Sequence, residues 1–208
     1  MDLFEAMNTQ RAMRRLKPDP VPDELLWRLL DAATRAPNGG NLQPWGFVVV
    51  RDPELKRRLQ EYYQDGARHV TRPSGLLATN APAGPEGAPA ARPTAGRYLA
   101  QHLAEAPALI IGTVRLADVA STTPPEACIF PALQNLLLAA RALGLGAVLT
   151  TLTRHREKDV AALLGIPEGH AQMALIPIGW PMGRFAPVVR GPTEAVTFWD
   201  GWGKTRAR

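Results

Sequence analysis

The chain has 208 residues, of which 46% are hydrophobic and 21% are charged, and its net charge is +5 at pH 7. This size suits one globular domain that buries its core without a metal or a disulfide, and Cys128 has no second cysteine to pair with. No apolar stretch reaches the roughly 20 residues that cross a bilayer, the start lacks a signal-peptide pattern, and the dispersed basic residues do not interleave with aromatic ones. We therefore expect a cytoplasmic protein that binds neither membrane nor nucleic acid.

The first third of the chain predicts helices separated by a turn and a strand. A short helix is expected over residues 3–8. A stronger helix follows, with Asp23 as its N-cap and apolar residues at helical spacing. The Gly-rich segment Asn38–Asn41 then predicts a turn. The apolar run Phe47–Val50 predicts a buried strand, and a further helix is expected from Pro53 to about Tyr63.

Residues 66–97 differ in composition from the rest of the chain. Five prolines and four glycines lie between Pro73 and Gly96, a content that excludes a helix or a central strand. A long irregular segment inside a compact domain is either a functional lid or a passive insertion. The composition leaves both interpretations open.

Regular elements resume after this segment. Leu109–Val114 predicts a strand, and residues from Pro125 to about Leu143 predict a long helix that is apolar on more than one face and hence buried on several sides. The remaining predictions are a strand at Ala147–Thr151, a helix at His155–Leu164 capped by Gly165, a strand at Met173–Gly179 and an extended tail from about residue 181. Because helices and strands do not alternate regularly, we predict a single α+β domain over residues 1–208, in which helices flank a small mixed, mainly antiparallel sheet.

Two segments have the composition of a binding site. Arg11, Arg14 and Arg15 place three guanidinium groups within five residues, and arginine binds phosphate with a planar fork. Their spacing alone favours a solvated basic surface over a phosphate site. In Pro37–Trp45, adjacent glycines permit close approach of the backbone to a ligand, and amide side chains both donate and accept hydrogen bonds. A plain helix-to-strand connection is the alternative interpretation there.

Other motifs carry little chemistry. Gly144-Leu-Gly146 follows a helix and precedes a strand, the reverse of a dinucleotide-binding turn, so it is interpreted as a helix stop. The four histidines are far apart in sequence and there are no paired cysteines, so no metal site is expected. Arg190, taken alone, is interpreted as a surface residue.

Taken together, the segments resemble the nitroreductase family of FMN-dependent, homodimeric oxidoreductases. The resemblance covers about residues 9–65 and 108–195. Its best-matched pieces, in chain order, are Arg11–Pro22, Ala36–Trp45, Gln134–Gly146 and Ile178–Pro181. It implies a nitroreductase-like fold and a domain-swapped type of dimer in which both subunits build each active site.

The resemblance also implies a role for each matched position. Arg11, Arg14 and Arg190 hold the FMN phosphate, and the neighbouring cofactor contacts are Ala12, Met13 and Arg15. The turn Pro37–Asn41 reaches the partner's flavin: Pro37, Asn38, Gly39 and Asn41 contact the cofactor, and Gly40 contacts the substrate. Family members often have serine in place of Ala12 and Asn38. Leu149, Thr150 and Thr151 run beside the isoalloxazine ring, with a backbone N–H facing flavin N5.

The implied reaction is ping-pong transfer of hydride from NADH or NADPH, through flavin N5, to a nitroaromatic, quinone or similar small acceptor. No catalytic side chain is needed, because the cofactor carries the chemistry. Alternatives with the same fold are a dehalogenase-like, ene-reductase-like or heterocycle-dehydrogenating enzyme and a non-catalytic flavin-binding protein. Deiodinase-like members carry Glu, Tyr and Lys on their lid. Residues 66–97 contain Glu86 but no tyrosine or lysine, which disfavours that option.

Overall fold

A computed structural model describes residues 1–69 and 94–206. The described helices are α1 (Leu3–Thr9), α2 (Asp23–Ala33), α3 (Pro53–His69), α4 (Ala95–His102), α5 (Pro125–Ala142) and α6 (Glu157–Leu164), and the strands are β1 (Trp45–Val50), β2 (Ala108–Arg115), β3 (Gly146–Ala147) and β4 (His170–Gly179). Most of the predicted lid or insertion lies outside the described residues. Its two margins belong to α3 and α4.

The four described strands form one sheet in the order β1-β2-β4-β3, and every pairing in it is antiparallel. The central strands β2 and β4 are buried on both faces. Successive residues of β2 show this arrangement, because Ile110 packs into one hydrophobic cluster and Ile111 into the other. The predicted α+β class is therefore confirmed, with a sheet that is antiparallel throughout the described part.

Helices cover both faces of the sheet. On one face, α5 and α2 pack together over β2 and β4, and Leu29, Leu133 and Ile176 are fully buried there. An added Cβ at Gly112 would lie 3.0 Å from a methyl of Ile129, so α5 lies close against β2 at this point. On the other face, the cluster around Leu59 joins α3, α4 and α6.

Several elements differ from the sequence prediction, and the helix predicted from His155 begins at Glu157. Asp23 is the first residue of α2 rather than its N-cap, and its carboxylate forms an ion pair with Arg51. Helix α3 continues to His69 rather than to about Tyr63. The strand predicted at Ala147–Thr151 is short, because only Gly146 and Ala147 pair with β4 before the chain turns away; Thr150 makes one isolated bridge.

No helix among residues 1–69 and 94–206 is long and apolar enough to cross a membrane.

Candidate functional site

The basic segment Arg11–Arg15 is an extended loop held against the sheet. Met13 and the following Leu16 are buried. The Met13 N–H donates to the Ala147 carbonyl at 3.0 Å, and the Met182 N–H donates to the Arg15 carbonyl at 3.0 Å. Because these inward residues fix the loop, the side chains of Arg11 and Arg14 are available on its other side.

A cleft of about 500 Å³ lies beside this loop. Residues 10–14 contribute one wall, Leu137 of α5 with Val148 and Leu149 forms the apolar part, and residues 187–190 of the tail complete the lining. Arg11, Arg14 and Arg190 therefore meet at one cleft, although they come from opposite ends of the chain. The lining residues described by the structure include no carboxylate, imidazole or thiol.

The two walls of the cleft are joined directly. The Val188 N–H donates to the Asn8 carbonyl at 2.9 Å, so the tail is tied to the end of α1 immediately before the basic loop. The Arg190 guanidinium donates to the carbonyl of Val189 at 2.8 Å and is otherwise exposed. Because the side chain is exposed, its charge can turn toward an anion in the cleft without disturbing the core.

Within the segment Leu149–Thr151, Leu149 lines the cleft and Thr150 bridges to β4, whereas Thr151 does not line the cleft. The Thr150 N–H donates to the Leu175 carbonyl at 3.0 Å, and the Thr150 hydroxyl donates to the same oxygen at 3.1 Å. Because adjacent N–H groups of an extended chain point in opposite directions, those of Leu149 and Thr151 point away from β4. Neither N–H has an acceptor among the described residues.

Thr150 faces the sheet, and its predicted contact with a cofactor remains a prediction. Its side chain is 8% exposed, and both its N–H and its hydroxyl are already used within the sheet. The backbone donor expected in this segment must come from Leu149 or Thr151.

Tyr63 of α3 is a buried residue of the core whose phenol is influenced by the charge of Arg14. The residue is only 4% exposed. Burial raises the pKa of its phenol, whereas the charge of Arg14 and the hydroxyl of Thr150 lower that pKa. Burial is the largest of these effects, so the pKa of the phenol is raised and the group is neutral beside the charge of Arg14.

Met13 and Arg15 do not line the cleft. Met13 packs in the core, and the Arg15 guanidinium lies over the ring of Tyr98, 4.7 Å from its centroid. The sequence could not separate these two residues from Arg11 and Arg14, because the direction of each side chain depends on which loop residues the sheet buries. Their predicted contacts with a cofactor remain predictions.

The turn around Gly40 is exposed and does not line this cleft. Its shape is set internally: the Asn38 carboxamide oxygen accepts from the Gln43 N–H at 2.8 Å. Gly40 and Asn41 have φ values of +58° and +55°, a region that glycine and asparagine tolerate best. Pro37, Gly39 and Asn41 are exposed and Asn38 is half-buried, while the Asn41 N–H and the Gly39 carbonyl are used in hydrogen bonds within the turn. Their predicted contacts with a flavin remain predictions.

A cluster outside the cleft was missed in the sequence. His69 and His155 stack with ring centroids 4.1 Å apart, and their ligand atoms lie within 4.8 Å of those of Asp65. The Asp65 carboxylate already accepts from Arg156 at 2.6 Å and from Arg68 at 3.1 Å. The hydrogen bond from Arg156 is the main cause that lowers the pKa of the Asp65 carboxyl. We interpret the cluster as an ion-pair network that joins α3 to the chain before α6.

Several cleft residues were also missed. They share an apolar or uncharged side chain that resembles ordinary core or tail sequence: Gln10, Leu137, Val148, Pro187, Val188 and Val189. Leu137 lies in an almost continuous apolar helix, so no local pattern distinguishes it from its buried neighbours. The one sequence feature that could have indicated residues 187–189 as part of the cleft is that they directly precede Arg190.

Comparison with known proteins gives the family. The family model described as "Nitroreductase family" matches residues 8–180. The chain belongs to the nitroreductase family. This places it among oxidoreductases and confirms the resemblance seen in the sequence.

Three relatives show how far this likeness to other nitroreductase-family proteins extends. A Thermus thermophilus protein named NADH dehydrogenase is 34% identical over 202 residues, covering 96% of each chain. Iodotyrosine deiodinase 1 of Rattus norvegicus is 27% identical over 196 residues, covering 86% of this chain and 62% of its own. A nitroreductase from Desulfitobacterium hafniense, solved with bound FMN, has a TM-score of 0.72 at 20% identity and covers 95% of this chain and 97% of its own.

Proposed function

We propose that this nitroreductase-family chain is an FMN-dependent oxidoreductase that transfers hydride from NADH or NADPH to a small acceptor such as a nitroaromatic or a quinone. The observation that carries the proposal is the meeting of Arg11, Arg14 and Arg190 at one cleft with an apolar part formed by Leu137, Val148 and Leu149. Guanidinium groups bind a phosphate, and an apolar surface of this kind suits a planar aromatic ring.

The residues present fit FMN. Its phosphate would be held by Arg11, Arg14 and Arg190, and its ring would lie against Leu149. The N–H groups of Leu149 and Thr151, which have no acceptor among the described residues, are suited to a ring nitrogen or carbonyl. A buried or partly buried N–H without a partner costs free energy, so a hydrogen-bonding ligand would stabilise this segment.

The chemistry that FMN supplies when bound is hydride transfer from NADH or NADPH to an oxidant, in two half-reactions that share one site. The chain contributes binding and orientation. The arginines fix one end of the cofactor, and the N–H donors favour negative charge on the ring. The apolar part of the cleft excludes water. A side-chain acid or base is not required, in keeping with the absence of carboxylate, imidazole and thiol groups from the described lining.

The functional unit in this proposal is a homodimer with shared active sites. Apolar side chains are exposed on α1 and on the C-terminal tail; Phe4 is 73% exposed and Trp202 is 90% exposed. Exposed apolar side chains grouped on one helix in this way are suited to a subunit interface. The outward-facing turn from Pro37 to Asn41 would then complete the partner's cleft, with Gly40 next to the substrate.

The name of the Thermus relative favours NADH as the reductant. The likeness to iodotyrosine deiodinase favours a halogenated phenol as an alternative acceptor. A cytoplasmic location is part of the proposal, because the single cysteine offers no intramolecular disulfide and is buried.

The proposal is tested with the purified full-length chain. We expect a flavin absorption spectrum, bleaching on anaerobic addition of NADH or NADPH, and recovery when an acceptor is added. A panel that contains a nitroaromatic, a quinone and iodotyrosine identifies the acceptor class. Initial rates measured against the concentration of NADH or NADPH, at several fixed acceptor concentrations, should give parallel double-reciprocal lines. A colourless protein that takes up no added FMN would refute the proposal, and a yellow protein without turnover would favour a non-catalytic flavin carrier.

A further inference from the structure

Arg141 holds together two parts of the chain that lead into the cleft. It lies in the last turn of α5, and its side chain is 13% exposed. Its Nε donates to the Thr9 hydroxyl at 2.8 Å, and its guanidinium lies over the ring of Phe185, 4.2 Å from the centroid. The Glu5 carboxylate is farther away, at 3.9 Å. Arg141 itself does not line the cleft.

Each partner of Arg141 is close in sequence to one wall of the cleft. Thr9 ends α1 and is followed directly by Gln10 and Arg11. Phe185 precedes the tail residues 187–190. One guanidinium therefore contacts the origin of both arms, in addition to the hydrogen bond from the Val188 N–H to the Asn8 carbonyl that joins them farther along.

The contacts need the specific shape of arginine. A planar guanidinium can lie on an aromatic ring while its edge donates to a hydroxyl. Lysine keeps the charge but has no planar fork. The Thr9 hydroxyl itself donates to the Glu5 carbonyl at 2.6 Å, so its position is fixed by α1 and it is a rigid acceptor for the arginine.

We infer that Arg141 is a positioning residue that sets the spacing of Arg11 and Arg190 and thereby gives the cleft its selectivity for the phosphate end of its ligand. This inference rests on the proposed function, because it assigns the anion in the cleft to the FMN phosphate. Arg141 acts through the two arms and makes no contact with the ligand.

The experiment compares FMN with riboflavin, which has the same ring and no phosphate. Dissociation constants are measured by titration of the apoprotein for wild type, Arg141→Lys and Thr9→Val. We expect FMN binding to weaken about tenfold in Arg141→Lys and less in Thr9→Val, with riboflavin binding changed by less than about twofold, as is typical when the supports of a binding group are loosened. Arg58→Lys is the matched control, because Arg58 also contacts an aromatic ring, that of Tyr62, on the exposed surface of α3.

Three results would overturn the inference: unchanged FMN affinity in Arg141→Lys, equal losses for FMN and riboflavin, or the same selective loss in Arg58→Lys. Full FMN affinity in Arg141→Lys would show that charge alone suffices. If Arg141→Lys fails to fold, Thr9→Val decides the question, because it removes only the acceptor hydroxyl. A wild-type protein that does not prefer FMN to riboflavin refutes the proposed function itself, whereas a preference as large as that of wild type in both variants refutes only the role of Arg141.

Discussion

Gly66 is the position at which the structure makes its sharpest prediction about packing. It lies in α3 against the chain that follows Thr151, and a Cβ added there would be 2.1 Å from the Leu152 carbonyl oxygen and 2.9 Å from its carbonyl carbon. Real Cβ atoms do not approach a backbone atom this closely. Gly66→Ala therefore forces α3 and Leu152 apart by about 1 Å, toward ordinary van der Waals separation.

Two opposing effects determine the size of the change. Overpacking of this kind costs about 1–3 kcal/mol, whereas replacing glycine by alanine inside a helix favours folding by about 0.5–1 kcal/mol. The clash is with backbone, which cannot rotate away, so we expect a net loss of about 1–2 kcal/mol in the free energy of unfolding. Because Leu152 follows Thr151, the displacement should also weaken FMN binding about tenfold.

Urea unfolding of the apoprotein and FMN titration measure the two effects separately. Gly183→Ala is the matched control, because an added Cβ there has no neighbour within 4 Å. A Gly66→Ala protein that is as stable as wild type or more stable, with unchanged FMN affinity, would show that helix propensity dominates and that α3 does not contact Leu152 as described.

The remaining predictions concern the cleft, the ion pairs and the surface. Arg190→Ala should weaken FMN binding about tenfold or more, because it removes a charge-assisted hydrogen bond to the phosphate, and FMN titration measures this. Thr150→Val should lower the free energy of unfolding by about 1–2 kcal/mol in urea and leave FMN affinity nearly unchanged, because the hydroxyl is bonded to a strand carbonyl. Asp65→Asn should destabilise the protein at neutral pH; since the hydrogen bond from Arg156 lowers the pKa of Asp65, the difference from wild type should fade as the pH falls below about 4, which thermal unfolding across pH can follow. Phe4→Glu should shift the protein from dimer to monomer in analytical ultracentrifugation.

Each of these predictions has a contradicting outcome. Arg28→Ala, on the exposed face of α2, is the control for charge, and an equal loss of FMN affinity in it would remove the special role of Arg190. A large loss of FMN affinity in Thr150→Val would show that the Thr150 hydroxyl contacts the ligand. A constant difference between Asp65→Asn and wild type across pH would exclude the ion pair as the cause. An unchanged dimer in Phe4→Glu would place the interface away from α1.

The sequence predicted elements whose signals are local. The apolar faces of α5 required burial on several sides, and the structure buries residues such as Ile129 and Leu136 completely. Gly165 adopts a φ of +65° at the end of α6, as its position in the sequence indicated. The α+β class followed from these elements without knowledge of their contacts.

Long-range relationships were not predictable in the same way. Taken alone, Arg190 has the sequence context of a surface residue, and only the family resemblance predicts that it lies with Arg11. Arg141 looks like an ordinary arginine at the end of a helix, and only the folded chain brings it to Thr9 and Phe185. The orientation of Thr150 depends on its bridge to β4, because a one-residue difference in register reverses the direction of every side chain.

The most direct test of the central claim is an equilibrium titration of the wild-type apoprotein with FMN and with riboflavin under the same conditions. If three arginines hold a phosphate at the cleft, FMN should bind at least about 100-fold more tightly than riboflavin, since charge-assisted hydrogen bonds contribute about 1.5–3 kcal/mol each. Equal affinity for the two flavins, or binding of neither, would contradict the account.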